Sequence, residues 1–296
     1  MVTSQAPAAP GTWSTGIVRC VDSDIAPGGA LAGRPPQWGS AERPVILCLH
    51  GIGSSSASFG PQLSGLWPAH RVVAWDAPGY GESPDPPGPP GLAGYAEAAA
   101  DVIVHIGQPV HLVGVSWGGV IALQMAATFG ELLRSVVVVG ASRGSGRDAA
   151  AAAAMRARPA ALADVGAGAF AADRAPRLLS PDAPAPLVAA VTGIMAGAVR
   201  LPGFAYAAEA MADTDLTGIL GAVDVPALVV YGEHDSVTGR PEGEALARAL
   251  PGAVSLSIAR AGHLANQEQP AAVNAWIASF VEIADCLTPK EGPHDH

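Results

Sequence analysis

Six short aliphatic runs, each bounded by glycine, proline or an acid, constrain the fold of this chain more than any other feature. They are Val45–Leu49, Arg71–Trp75, Val110–Val115, Ser135–Val139, Ala227–Tyr231 and Ala253–Ile258. Strands with one wet face alternate polar and apolar residues, so short runs without alternation read as strands buried on both faces. Between them, Tyr95–Ile106, Trp117–Phe129, Gly243–Ala249 and Ala271–Ala284 have helical spacing and composition. This alternation predicts an α/β architecture, a mainly parallel sheet flanked by helices. Residues 143–217 break the rhythm: they are alanine-rich, carry several prolines and contain no strand-like run. They read as an inserted helical cap, leaving 1–142 and 218–296 as the core. The ends, Met1–Pro10 and Pro289–His296, read as frayed.

Charge limits the partners. The 26 acids exceed the 16 basic residues, for a formal net charge of −10, so the positive footprint that holds a phosphate backbone is missing and nucleic acid is not expected. The only lysine is Lys290, near the C-terminus. Walker A phosphate binding, pyridoxal Schiff bases and Tyr-x-x-x-Lys reductase chemistry all need a lysine in the body of the fold. The cysteines Cys20, Cys48 and Cys286 are far apart and form no C-x-x-C pair, which suggests neither a disulfide framework nor a zinc site. The first residues lack the basic and apolar regions of a signal peptide. The longest stretch free of charged residues, Val102 to Gly130, is interrupted by His105, Gln108, Pro109, His111 and Ser116, unlike a membrane span. A cytoplasmic monomer or homodimer acting on a small molecule, with no metal or cofactor, is the expectation.

Two pentapeptides match G-x-S-x-G, the sharp strand-to-helix turn that exposes a serine hydroxyl. One is Gly114-Val115-Ser116-Trp117-Gly118; the other is Gly140-Ala141-Ser142-Arg143-Gly144. The second sits within VVVVGASRGSGR, which also looks like the glycine-rich cofactor turn of short-chain dehydrogenases. That turn belongs near an N-terminus and needs the absent lysine, so Gly140–Gly146 is assigned to the loop entering the cap, with Ser142 at a pocket rim or hinge.

The surroundings of Ser116 follow an order. His50-Gly51-Ile52-Gly53 succeeds the first run, Asp76-Ala77-Pro78-Gly79-Tyr80-Gly81 the second, and Ser116 the third; Gly232-Glu233-His234-Asp235 and Ala261-Gly262-His263 succeed the last two. Taken together, residues 40–285 resemble the α/β-hydrolase family in its serine-nucleophile branch, with the cap after the sixth strand of that family's sheet. The resemblance implies Ser116 as nucleophile, His263 as base and then acid, and Asp235 as the carboxylate that orients His263. Glu233 and Asp224 lie close to Asp235 but precede or begin the turn. It further implies an oxyanion hole from the backbone N–H groups of Ile52 and Trp117. His50 is expected to support its loop, and His70, His105 and His111 to be structural or exposed, not near any carboxylate cluster.

Serine at 116 argues against haloalkane dehalogenase and epoxide hydrolase chemistry, which needs a carboxylate nucleophile. AGHLANQEQP looks most like the enol-lactonase and esterase branch, implying hydrolysis of a carboxylic ester or lactone through an acyl-enzyme. C–C bond hydrolases of ring-fission products carry Trp after the catalytic His, where this chain has Leu264. That activity and a non-catalytic ligand-binding role on the same fold are the alternatives. Candidate pocket residues are Trp117, Ile52, Phe59, Ser142, Met195, Phe204, Tyr206, Met211 and Leu264. An anionic substrate would need one of the cap arginines.

Overall fold

A computed structural model describes residues 11–25 and 43–287; the ends read as frayed fall outside them. In chain order the elements are β1 (Gly11–Ser14), β2 (Arg19–Asp22), β3 (Val45–Leu49), α1 (Gly60–Gly65), β4 (Arg71–Asp76), α2 (Gly91–Ile106), β5 (Val110–Val115), α3 (Trp117–Thr128) and β6 (Leu133–Val139). After these come α4 (Ala149–Arg174), α5 (Ala185–Ala198), α6 (Gly203–Asp213), β7 (Ala227–Gly232), α7 (Gly239–Ala249), β8 (Val254–Ile258), α8 (Ala265–Glu268) and α9 (Pro270–Leu287).

The eight strands form one sheet in the order β1-β2-β4-β3-β5-β6-β7-β8. It is parallel from β4 to β8, and β1 and β2 join antiparallel at one edge. β3, β4, β5 and β7 are buried at every residue, as unbroken aliphatic runs require when helices cover both faces. β8 differs from the doubly buried strand expected of it. It is the edge of the sheet, Val254 is exposed, and Ser255 and Ser257 supply the polar alternation of a half-wet strand.

The β1–β2 hairpin has no counterpart among the expected strands. Each strand has four residues, too few to show a period. A buried ion pair holds it to the sheet: Arg71 Nη2 on β4 donates to Asp22 Oδ2 on β2 at 2.7 Å, and Trp13 Nε1 donates to the same oxygen at 3.1 Å. α9 has the length and hydropathy of a membrane span by composition alone. It buries Val273, Ile277, Val281 and Ala284 at helical spacing, packing on β6 and α1.

Between β6 and β7 the chain makes only helices, α4 to α6, within residues 143–217. The segments leading in and out are bonded to each other: Gly146 N donates to Thr214 O, and Leu216 N to Arg143 O, both at 2.8 Å. Arg143 also clamps Glu242 on α7 through Nε and Nη2, each at 2.9 Å.

His111 is a buried structural residue with one acidic neighbour. Its Nδ1 is 2.8 Å from Ser135 Oγ, and its Nε2 is 3.1 Å from Asp285 Oδ1, an atom that Arg134 Nε approaches at 2.7 Å. The carboxylate comes from α9, about 170 residues away in sequence and invisible to local pattern. Burial pushes this imidazole down to about 4, against the lift from Asp285. Free histidine titrates near 6.5, so between pH 6.5 and 4 the unfolded chain takes up a proton that the folded protein refuses. The stabilisation is complete above that window and is lost as pH falls through it, by at most about 3 kcal/mol. Urea midpoints should therefore drop from pH 7 to 4.5, and His111→Gln should flatten the slope; His50, lowered by burial too, keeps it from vanishing. Identical slopes in the two proteins would remove His111 as the cause.

Candidate active site

Parallel register aligns the carboxyl ends of β5, β6, β7 and β8 along one edge: Val115 pairs with Val139, Val139 with Val230, and Gly232 with Ile258. Loops leaving that edge meet in the crevice where α/β sheets place their ligands. Ser116 leaves β5 with φ 54° and ψ −116°, a conformation that costs a non-glycine residue about 1–3 kcal/mol. Its N–H donates to Val139 O at 2.8 Å, fixing the turn to the neighbouring strand and leaving the hydroxyl above the sheet. Backbone crowding explains the flanking glycines: a Cβ on Gly118 would press into the Leu49 carbonyl, and one on Gly114 would meet Gly118.

His263 reaches Ser116 from the loop after β8. Its Nε2 lies 2.8 Å from Ser116 Oγ, and its Nδ1 lies 3.0 Å from Asp235 Oδ2. Donation of Nδ1–H to the carboxylate leaves Nε2 as the acceptor for the serine hydroxyl. Asp235 is buried, which pushes its carboxyl up. Hydrogen bonding and charge from His263, with donors from Thr238, outweigh that and hold it well below the usual carboxylate range. The Thr238 hydroxyl donates to Oδ2 at 2.8 Å, and Val237 N and Thr238 N donate to Oδ1 at 2.8 and 3.1 Å. Thr238 was not singled out from the sequence. Its signal is an Asx turn, an acid followed closely by backbone and hydroxyl donors in Asp235-Ser236-Val237-Thr238.

Glu268 on α8 supports the His263 loop by accepting from Gly262 N at 2.7 Å and from Ser180 N, between α4 and α5, at 2.8 Å. His50 takes the supporting role expected of it: its Nε2 accepts from Ala77 N at 3.0 Å, and burial keeps the ring neutral by lowering its pKa. Glu233 instead caps Arg260 N at 2.9 Å, so Asp235 is the carboxylate that meets His263.

A cavity of about 320 Å³ opens above Ser116, near the lower end of the range for small-molecule pockets. Ile52, Met195, Phe204 and Leu264 line it, with Ser116 and His263. Phe170 on α4 and Val191 and Ile194 on α5 also line it, though nothing in an alanine-rich helix marks which residues face inward. The other pocket candidates lie elsewhere. Phe59 is fully buried in the core under the first loop. Trp117 turns down from the start of α3 to pack edge-on against Tyr95 at 4.7 Å. Tyr206 and Met211 lie on α6 outside the lining, Met211 buried in the core. Ser142 is in the loop after β6, where its Oγ accepts from Gly144 N at 3.3 Å. The backbone N–H groups of Ile52 and Trp117 have no acceptor among the described residues. No group of three or more His, Cys, Asp or Glu suited to a metal occurs among the described residues.

Residues 46–276 match the model of the alpha/beta hydrolase family. Among curated proteins, 3-oxoadipate enol-lactonase 2 of Acinetobacter baylyi is 26% identical over 83% of this chain and 91% of its own. A pimeloyl-[acyl-carrier protein] methyl ester esterase of Chromobacterium violaceum is 31% identical over 74% of this chain and 87% of its own. A thermophilic esterase from Thermogutta terrifontis superposes with a TM-score of 0.77 at 24% identity, covering 90% of this chain and 94% of that one; it shares the fold. Sequence order, sheet topology and family match agree: this chain belongs to the alpha/beta hydrolase family.

Proposed function

We propose that this protein hydrolyses a carboxylic ester or lactone of a small molecule through an acyl-enzyme formed on Ser116. The observation that carries the reading is the unbroken hydrogen-bonding run from Asp235 through His263 to Ser116 at the floor of the cavity. Relatives named as an enol-lactonase and an ester esterase support ester hydrolysis at the level of the family.

In this mechanism Ser116 Oγ attacks the ester carbonyl carbon while His263 Nε2 takes the hydroxyl proton. The carbonyl π pair moves onto oxygen, and the free N–H groups of Ile52 and Trp117 receive that charge. Collapse expels the alkoxide, which takes the proton from His263 and leaves the acyl group on Ser116. Water, deprotonated by His263 as it attacks the acyl carbonyl carbon, then displaces Ser116 Oγ, which takes that proton back from His263 as the acid is released. Asp235, held ionised, keeps the imidazole in the tautomer that presents a bare Nε2 and stabilises its protonated form. Helices α4 to α6 act as the cap that walls the cavity, and its modest volume selects small substrates.

The test is covalent labelling of the intact chain with a fluorophosphonate, read by peptide mass spectrometry. The adduct is expected on Ser116 alone. An adduct on Ser142, or none on the folded protein, would overturn the reading, and the second result would favour the non-catalytic ligand-binding alternative.

A further inference from the structure

Arginines within residues 143–217 divide into two groups by what they touch. Arg143 and Arg147 hold Glu242, Arg156 pairs with Asp213, Arg177 with Asp173, and Arg200 with the carbonyls of Gly81 and Ser83 and with Asp85. Each of those is a scaffold contact. Arg158 and Arg174 make no ion pair or hydrogen bond among the described residues, and both line the cavity that holds Ser116. Arg174 rests over the Phe170 ring at 5.5 Å, and Phe170 faces the same cavity.

Their convergence is built into the backbone. Sixteen residues of straight helix would hold them about 24 Å apart. Within α4, however, Gly166 has φ 75° and ψ 163°, and the break lets residues on both sides of it reach one cavity. Burial is the main cause lowering the Arg158 pKa to about 10, and the charge of Arg174 adds to it. Both groups therefore lie close to each other as cations; the one acid acting on Arg174 is Asp173, whose ion pair is with Arg177. The cavity lining contains no Asp or Glu, with Arg177 as a third arginine at its margin. In a chain of net charge −10, a lining with arginines and no carboxylate is a local reversal of sign. Two partly desolvated like charges with no carboxylate beside them in the cavity lining are unfavourable unless a ligand supplies one.

We propose that Arg158 and Arg174 form a carboxylate-binding subsite, so that the substrate is an ester or lactone carrying a free acid away from the scissile bond. The proposal rests on the serine-hydrolase reading of the same cavity. Guanidinium forks match carboxylates with two parallel hydrogen bonds, and placing the acid there sets the distance of the reacting carbonyl from Ser116.

The experiment compares p-nitrophenyl monoesters of adipic and suberic acids with their p-nitrophenyl methyl diesters, matched in length and leaving group. Wild type should favour the free acid by roughly 10- to 100-fold in kcat/KM, the range of a charged hydrogen bond. Preference should reside in KM, collapse toward parity in Arg158→Met/Arg174→Met, and return in part in the double Lys variant, which keeps charge without the fork. Adipate should inhibit diester turnover by wild type competitively, and adipamide should not, a readout that needs no variant. Equal use of acid and diester by wild type, preference surviving in the Met variant, or equal inhibition by adipate and adipamide would each overturn the subsite. Fluorophosphonate labelling of Ser116 separates the two levels: an enzyme that labels but ignores the free acid refutes only the subsite. One that neither labels nor hydrolyses any of these esters refutes the serine-hydrolase reading.

Discussion

Replacing Ser116 with alanine is expected to lower kcat on p-nitrophenyl esters by about 10⁵- to 10⁶-fold. His263→Ala should cost as much, because neither an unactivated hydroxyl nor an imidazole without a nucleophile completes the attack. The double variant should be no worse than either single one, since the pair acts as a unit. Ser142→Ala, in the second G-x-S-x-G match but outside the cavity lining, should change kcat by no more than about twofold. Stopped-flow measurement should also show a burst of p-nitrophenol equal to the enzyme concentration wherever deacylation is slower than acylation. If Ser116→Ala retained turnover while Ser142→Ala lost it, the wrong elbow would have been chosen.

The second large effect is on stability. Gly118→Ala is expected to destabilise the protein by about 4 kcal/mol or more, or to prevent soluble expression. The added Cβ would press into the Leu49 carbonyl and come within 2.7 Å of the His50 carbonyl oxygen, and backbone oxygens at the end of a central strand have no rotamer to retreat to. The control is Gly193→Ala in the exposed part of α5, where nothing lies within 4 Å of a new Cβ; it should stabilise by about 0.5–1 kcal/mol through helix propensity. Urea denaturation reads both, and a mild Gly118→Ala would mean that the elbow and β3 separate easily.

Central strands were legible from sequence because unbroken aliphatic runs such as Val45–Leu49 have few other uses in a chain of this length. The turns after them were equally open to reading, since chemistry that needs an exposed serine needs small residues on either side of it. Legibility failed where partners are distant or periods short. The four-residue strands of the β1–β2 hairpin show no alternation to count, and their anchor, the Asp22–Arg71 pair, spans 49 positions. Ala253–Ile258 reads as apolar, yet Ser255 and Ser257 already alternate with its aliphatic residues, which is the mark of an edge. In the helices after β6, alanine covers every face, so composition could not separate Phe170 and Met195, which line the cavity, from Tyr206 and Met211, which do not. The same uniformity hid Arg158 and Arg174, because an arginine without a partner looks, in sequence, like one on a wet surface.

The bonded crossing of residues 143–146 with 214–216 has an evolutionary consequence. Both ends of the intervening helices are already neighbours, so that stretch is attached to the sheet like a cartridge in a socket. Recombination or insertion between the two crossing points leaves every strand pairing in register and has one further condition to meet, a replacement for the contacts of Leu178 and Ser180 with the loop that carries His263. A change of the helices over the cavity is therefore one insertion plus the repair of one loop contact, with the sheet left as it stands.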